Sequence, residues 1–152
     1  MSESDSKAGE INLHPARPIL CVRSLDASVA YYVDVLGFAK DWGDRWFASV
    51  SRGRCALFLS EGDQGNPGSW AWIGVGDAAA LHEELLARGA KVRQPPTNHP
   101  WALEIQVEDL DGNVLRFGSD PLGGQPFGEW LDGSGVRWAP MPGGGWKRVP
   151  PG

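Results

Sequence analysis

Hydrophobic positions along the chain repeat one order twice: an apolar strand-like run, a helical segment, and three short strand-like runs. Ser24 and Asp77 stand at the expected N-caps of the two helices, and Gly37 and Gly89 stand where these helices end. The strand–helix segments are Ile19–Gly37 and Ala71–Gly89, and the later strand candidates are Ala39–Trp42, Trp46–Val50, Cys55–Ser60, Val92–Gln94, Ala102–Val107 and Val114–Gly118. The pattern predicts an α+β fold of two βαβββ modules, in which each helix covers a sheet.

Alternate residues of each predicted strand divide into two sets, because successive side chains point to opposite faces of a sheet. One set is aliphatic and predicts the helix-facing core. The other set mixes aromatic rings with charges and includes Arg17, Phe47, Phe58, Trp70, Trp72, Glu104, Gln106 and Arg116. Aromatic walls with a few polar groups are typical of a ligand pocket. A second interpretation stays open, in which Trp70 and Trp72 fill space beneath another segment and Glu104 neutralises an arginine.

The predicted domain organisation has three parts. Residues 1–15 form a flexible N-terminal segment, and residues 16–120 form one domain with modules 16–62 and 69–120. Residues 121–152, the C-terminal extension, are rich in Gly and Pro yet contain Trp130, Trp138 and Trp146. Glu129–Leu131 and Val136–Trp138 flank a turn sequence and predict a hairpin. Because exposed tryptophans make a sticky surface, we expect the C-terminal extension to pack on its own domain or on a partner subunit.

Charge and composition exclude several classes of function. A net charge of -5 without a Lys/Arg cluster argues against nucleic-acid binding. No secretory signal and no apolar run of about 20 residues is readable in the sequence, which predicts a cytoplasmic protein that does not bind membranes. Cys21 and Cys55 lack metal-ligand spacing and are predicted to be free thiols.

The segment Pro18–Phe38 (PILCVRSLDASVAYYVDVLGF) resembles the first strand and helix of the glyoxalase, bleomycin-resistance and dioxygenase (vicinal oxygen chelate) superfamily. Bleomycin resistance proteins are the members it resembles most, through Gly37–Ser60, Ser69–Trp72, Pro100–Trp101 with Glu104, and the turn EDLDGN. The resemblance covers about residues 17–120. It implies a cup-shaped mixed sheet with the helices on its convex face.

The resemblance also implies where a metal would bind in the catalytic members of the superfamily. The matching positions are Arg17, Phe58, Trp70 and Arg116. A guanidinium, a phenyl ring and an indole offer no lone pair to a divalent ion. His14, His82 and His99 lie before the first strand, on a helix and in a loop, and form no ligand set. We therefore expect neither a metal nor another cofactor.

Bleomycin resistance proteins sequester their drug in clefts shared by two subunits that exchange an N-terminal strand. The resemblance thus implies a noncatalytic homodimer that binds a planar, antibiotic-like small molecule. Trp42, Phe47 and Trp101 match aromatic contact residues of that family, and could stack on a flat ring system. Phe58, Trp70 and Trp72 complete the aromatic walls, while Arg17, Glu104 and Arg116 would orient the ligand.

Two other functions stay open. The first is a lyase, isomerase or dioxygenase of the same superfamily, with a displaced metal site or acid–base chemistry from Glu104 or His99. The second is an interaction module, suggested by the tryptophans of the C-terminal extension. The two arginines on the candidate face favour an anionic or carbonyl-bearing ligand over a cationic drug.

Overall fold

The computed structural model describes residues 11–151 of the chain. The two helices are α1 (Leu25–Asp34) and α2 (Ala78–Ala87). The strands are β1 (Ile19–Cys21), β2 (Ala39–Gly43), β3 (Phe47–Arg52), β4 (Cys55–Ser60), β5 (Trp70–Gly74), β6 (Lys91–Asn98), β7 (Leu103–Glu108), β8 (Val114–Ser119), β9 (Trp130–Leu131), β10 (Arg137–Pro140) and β11 (Trp146–Arg148). Most of the predicted flexible segment, residues 1–10, lies outside the described residues, and residues 11–15 are exposed coil.

Both helices begin and end where the sequence predicts. The Ser24 hydroxyl accepts a hydrogen bond from the backbone N–H of Ala27, and the Asp77 carboxylate accepts one from Ala80. Gly37 and Gly89 follow the helices with φ of 78° and 87°, a left-handed conformation that glycine adopts without a Cβ clash. Within residues 11–151, neither helix has the length and hydropathy needed to cross a bilayer.

The strands form two four-stranded mixed sheets with the same internal order, which confirms the predicted fold class. The first module has the order β1-β4-β3-β2 and the second has β5-β8-β7-β6, and β1 and β5 pair in parallel with β4 and β8. A third, antiparallel sheet, β11-β10-β9, belongs to the C-terminal extension. Its β9–β10 hairpin was predicted from the sequence, whereas β11 was not.

The helix-facing sides of the two sheets share one hydrophobic core. The buried side chains come from both helices and both modules, and they include the aliphatic set that strand alternation predicted: Leu20, Val22, Ala48, Val50, Leu57, Leu59, Ala71, Ile105, Val107, Leu115 and Phe117. Each sheet therefore turns its other face away from this core, and that face holds the predicted site residues.

Polar contacts of helix α1 join the first module to the second. The Tyr32 hydroxyl, fully buried, donates to the Asp109 carboxylate across 2.9 Å, and that carboxylate also accepts from the Asn113 side chain. Burial raises the pKa of Tyr32 well above its ordinary value, and the neighbouring Asp109 charge adds to this, so the hydroxyl remains a donor. The neighbouring Tyr31 donates to the Glu108 carbonyl oxygen and accepts from the Lys91 N–H.

We predict that Tyr32→Phe lowers the free energy of unfolding by about 1.5–3 kcal/mol, because a buried carboxylate loses a hydrogen bond. Tyr31→Phe removes the same hydroxyl at a half-buried position, where water can replace it, and should cost about 0.5–1.5 kcal/mol. Urea denaturation of both variants checks the order. Equal losses would show that the Tyr32–Asp109 contact has no special weight in joining the modules.

Candidate ligand-binding site

The outward face of the first module carries a group of three contacting aromatic rings. Trp42 and Phe47 stack with ring centroids 6.0 Å apart and an interplanar angle of 24°. Phe58 lies 5.8 Å from Trp42 and 5.1 Å from Phe47. The Trp42 side chain is 51% exposed. We call Arg17, Asp41, Trp42, Phe47, Ser49 and Phe58 the first-module face, and its rings form an apolar platform open to solvent.

One cation and one anion border this platform. The Arg17 guanidinium lies over the Phe58 ring, 5.3 Å from its centroid. The Asp41 carboxylate accepts hydrogen bonds from the Ser49 and Ser51 hydroxyls. A register shift between Lys40 and Trp42 lets Asp41 reach Ser49 although Trp42 is the residue paired with it. The sequence-predicted site did not include Asp41, which lies at a bulge where the regular alternation of side chains is interrupted.

The outward face of the second module is built around the carboxylate of Glu104. This side chain is 2% exposed and accepts five hydrogen bonds. The indole N–H groups of Trp72 and Trp101 donate across 2.8 and 2.7 Å, and Arg116 donates from both Nε and Nη2. A carboxylate has about four lone-pair positions, so these donors use its whole accepting capacity.

Gly118 on β8 makes room for this arrangement. A Cβ at that position would lie 2.5 Å from the Trp72 indole, so any larger residue would push the ring off the strand. Trp72 can therefore lie across Gly118 and reach Glu104. We call Trp70, Trp72, Glu104, Gln106 and Arg116 the second-module face.

The C-terminal extension covers part of the second-module face and leaves Trp72 54% exposed. Arg93 donates to the Asp132 carbonyl oxygen across 2.8 Å, Gln94 to that of Glu129 across 3.0 Å, and Gln106 to that of Leu131 across 3.1 Å. Gly133 lies against the Trp70 indole, where a Cβ would sit 3.4 Å from the ring. The expectation that the C-terminal extension packs on its own domain is confirmed by these contacts.

An aromatic cluster at one end of this cover includes the third histidine. His99 is 1% exposed and stacks on Trp101 with centroids 4.6 Å apart and planes 7° from parallel. Trp130 and Trp146 lie against Trp101 at 6.1 and 5.5 Å. Two buried ring nitrogens of this cluster, His99 Nδ1 and Trp130 Nε1, have no hydrogen-bond partner within the described residues. Burial lowers the pKa of His99, so the ring is neutral at pH 7.

The residues at the superfamily's metal positions do not fit a metal. They instead take part in cation–π contacts: Arg17 lies over Phe58, Arg93 over Trp70, and Arg116 over Trp130. No group of three or more His, Cys, Asp or Glu side chains with the arrangement of a metal site occurs in residues 11–151. We derive no chemical step that runs through a metal.

The sequence-predicted site residues fall into two groups. Arg17, Trp42, Phe47 and Phe58 meet on the first-module face, whereas Trp70, Trp72, Trp101, Glu104 and Arg116 meet under or beside the C-terminal extension. No ring contact joins Trp101 to Trp42 or Phe47 in the part of the chain that the structure describes, so these three do not form a sandwich within one chain.

A groove of about 900 Å³ lies beside these faces rather than between them. Apolar side chains of both modules line it, together with Arg52 and Glu84. It shares only Trp72 with the predicted site residues.

Comparisons with known proteins agree with this architecture. The family model "Glyoxalase/Bleomycin resistance protein/Dioxygenase superfamily" matches residues 13–117. The bleomycin-binding protein of Streptomyces verticillus, solved with copper(II)-bleomycin, is 36% identical, with a TM-score of 0.63 over 72% of this chain and 98% of that one. The antibiotic-binding protein TnmS3 from Streptomyces sp. CB03234 is 21% identical, with a TM-score of 0.63 over 74% of this chain and 99% of that one. The comparison with curated proteins found no match.

We predict that Glu104→Gln lowers the free energy of unfolding by about 3–5 kcal/mol, because the substitution leaves the largely buried Arg116 guanidinium without its counter-charge. Glu84→Gln is the matched control. Glu84 pairs with Arg52 and Arg88 at the surface, where an ion pair contributes about 0–1 kcal/mol. Chemical denaturation measures both variants, and similar losses would contradict the central role given to Glu104.

We predict that the protein loses stability as the pH falls below 6.5, through His99. The ordinary pKa of a histidine is 6.5, and burial lowers the pKa of His99 below this value in the folded state. The unfolded chain therefore binds the proton more readily than the folded chain does. The stability is fully present above pH 6.5 and decreases as the pH falls toward the folded-state pKa. His99→Phe keeps an aromatic ring and removes this titration. Thermal denaturation at pH 7.5 and 5.5 should show a smaller pH effect for the variant, and an equal effect would refute the assignment.

Proposed function

This chain belongs to the Glyoxalase/Bleomycin resistance protein/Dioxygenase superfamily, and we propose that it binds and sequesters a planar, antibiotic-like small molecule without transforming it. We propose the first-module face as the contact surface. Among its solved relatives are proteins described as bleomycin-binding and antibiotic-binding, which supports this class of function.

The exposed platform of Trp42, Phe47 and Phe58 is the observation on which the proposal depends. Burying half an indole against a ligand removes apolar surface from water, and each stacked pair adds about 0.5–1.5 kcal/mol beyond that burial. The stacking of Trp42 on Phe47 and the contacts of both rings with Phe58 hold the platform in place before a ligand arrives. A preorganised platform loses little side-chain entropy on binding.

The charges near the platform fit a neutral or zwitterionic ligand. Glu104 compensates Arg116, so this arginine places no free charge at the site. Arg17 and Asp41 remain on the first-module face as one cation and one anion. Arg17 would meet a carbonyl or carboxylate of the ligand, and Asp41 an amine or amide N–H. The expectation that two arginines disfavour a cationic drug therefore now depends on Arg17 alone, since Arg116 is neutralised by Glu104.

A homodimer remains part of the proposal. The platform of the first module is open on its solvent side, and a second copy of the chain could supply the opposite wall of a cleft. Stacking from both sides would enclose a flat ligand more completely than a single open platform does.

The enzymatic alternative has weaker support from the same residues. Internal donors already use the accepting capacity of Glu104, so it has no free lone pair for a substrate proton. His99 is buried between Trp101 and the C-terminal extension. Neither side chain reaches the first-module face as a general base would have to do.

We predict that Trp42→Ala and Phe47→Ala each weaken the binding of copper(II)-bleomycin about tenfold, which corresponds to about 1.4 kcal/mol of lost stacking and burial. Isothermal titration calorimetry measures the affinities. Other planar antibiotics, titrated in parallel, show which ring system the platform prefers.

Trp46→Ala is the matched control. Trp46 is 53% exposed and stacks with Arg45, and no ring contact joins it to the platform within residues 11–151. Its loss should leave the affinity unchanged. Equal effects of all three substitutions would refute the platform, and recovery of a chemically altered ligand by mass spectrometry would refute sequestration.

A further inference from the structure

We propose that the second-module face is a half-site for an extended, amide-bearing chain and that residues 122–133 of the C-terminal extension occupy it in cis. The proposal rests on the proposed function, since it gives a second surface of the same chain a part in binding the ligand. A ligand with a peptide-like portion would displace the C-terminal extension and take over its hydrogen bonds. The C-terminal extension thus acts as a built-in competitor.

Side chains of the second-module face and of the adjoining strand β6 hydrogen-bond to the backbone of the C-terminal extension, in addition to the ring contacts of Trp130. Gln94, Gln106 and Arg93 all donate to backbone carbonyl oxygens of residues 129–132. Gln94 also accepts from the backbone N–H of Leu131. Side-chain amides that donate to carbonyl groups and accept from N–H groups can form the same bonds with any extended chain of amides.

Asn98 extends this recognition along edge strand β6. Its side chain donates to the carbonyl oxygens of Leu122 and Gln125 and accepts from the N–H of Leu122 across 2.8 Å, while its own carbonyl oxygen accepts from the N–H of Gly128 across 2.9 Å. Asn98 and Gln94 are 7% and 5% exposed. Their burial depends on the C-terminal extension, so an opened face leaves these amides to water or to another amide-bearing chain.

The C-terminal extension fits the face incompletely. His99 Nδ1 and Trp130 Nε1 stay buried without a partner among the described residues. A buried polar group without a partner costs free energy relative to a satisfied one, which weakens the docking of the C-terminal extension. A ligand that displaces the C-terminal extension and donates to His99 Nδ1 would satisfy this nitrogen and release Trp130 Nε1 to water, which gives an outside chain a means to compete.

The C-terminal extension is separable from the core. The hydrophobic core of the described residues includes no side chain beyond Phe117, and the family match also ends at residue 117. The strands of the C-terminal extension are two to four residues long, and Asp132 holds the β9–β10 turn by accepting from Trp138, Ser134 and Val136. Short strands of this kind open locally at low free-energy cost.

The test uses full-length chains in which the C-terminal extension is loosened. At Gly128 an added Cβ would lie 2.7 Å from the Thr97 methyl group, so Gly128→Val should displace this segment. Gly123→Val is the matched control, because a Cβ at Gly123 meets no atom within 4 Å. Asp132→Ala, which releases the β9–β10 turn, is a second loosened variant.

Hydrogen exchange reports the state of the C-terminal extension. We expect the Leu131 amide to exchange about tenfold faster in Gly128→Val than in Gly123→Val, with unchanged protection of β3 and β7. Unchanged exchange at Leu131 in both loosened variants would overturn the proposal. So would unfolding of the whole domain, because the C-terminal extension would then be part of the core.

The probe is a capped synthetic peptide of residues 121–138, measured by calorimetry. An intramolecular competitor acts at an effective concentration on the order of millimolar, so the original chain and Gly123→Val should bind the peptide far more weakly than Gly128→Val does. Adding Gln106→Leu to Gly128→Val should remove the binding. A peptide that fails to bind once Leu131 is exposed to exchange, or that binds equally with Gln106→Leu, would overturn the proposal.

Titration with copper(II)-bleomycin distinguishes failure of the half-site proposal from failure of the proposed sequestration function. If no chain binds it, the proposed function fails while the peptide measurement still decides the half-site. If all chains bind it, competition predicts about tenfold tighter binding to Gly128→Val than to Gly123→Val.

Discussion

The carboxylate of Glu104 is the constraint on which the outward side of the second module depends. A charge that is 2% exposed must be fully hydrogen-bonded, and the donors come from Trp72, Trp101 and Arg116. These donors fix the orientation of two indoles and one guanidinium. The fixed indole of Trp101 then supports His99, Trp130 and Trp146, and Arg116 supports Trp130 from the other side. The arrangement of the second-module face, and of the aromatic cluster at one end of the C-terminal extension, thus depends on one buried charge.

The same constraint explains how a duplicated unit acquired two different faces. The two modules have equivalent strand orders, β1-β4-β3-β2 and β5-β8-β7-β6, and both bury alternate strand positions in the shared core. Their outward faces differ: the first keeps exposed rings bordered by Arg17 and Asp41, and the second is lined with buried amides and ion pairs beneath the C-terminal extension. One half is suited to stacking and the other to hydrogen bonding.

Sequence periodicity predicted the parts of the structure that depend on local rules. Ser24, Asp77, Gly37 and Gly89 define the helices by backbone chemistry, and strand alternation separated the core from the outward face. The β9–β10 hairpin followed from its turn residues. Family resemblance added the expectation of a cup-shaped mixed sheet with the helices on its convex face.

The composition of the site was less predictable, because strand alternation shows on which face of a sheet a residue lies but not which residues of other strands it contacts. The resemblance predicted that Trp42 and Trp101 contact one ligand, yet they lie in separate clusters, Trp42 on β2 and Trp101 in the loop before β7. The β2 bulge brings Asp41 within hydrogen-bond reach of Ser49, a contact that strand alternation does not predict. The interpretation that Trp70 packs beneath another segment and Glu104 neutralises an arginine fits the second module better than an open pocket does. The hydrogen bonds that dock the C-terminal extension go to its backbone and leave no side-chain pattern to read, whereas its tryptophans did predict that it packs on protein.

The C-terminal extension on the second-module face removes the pseudo-twofold equivalence that a duplicated fold would otherwise have. The two outward faces are chemically unlike, with exposed rings on the first and hydrogen-bonded amides and an ion pair on the second. The chain therefore presents two distinct surfaces rather than two copies of one.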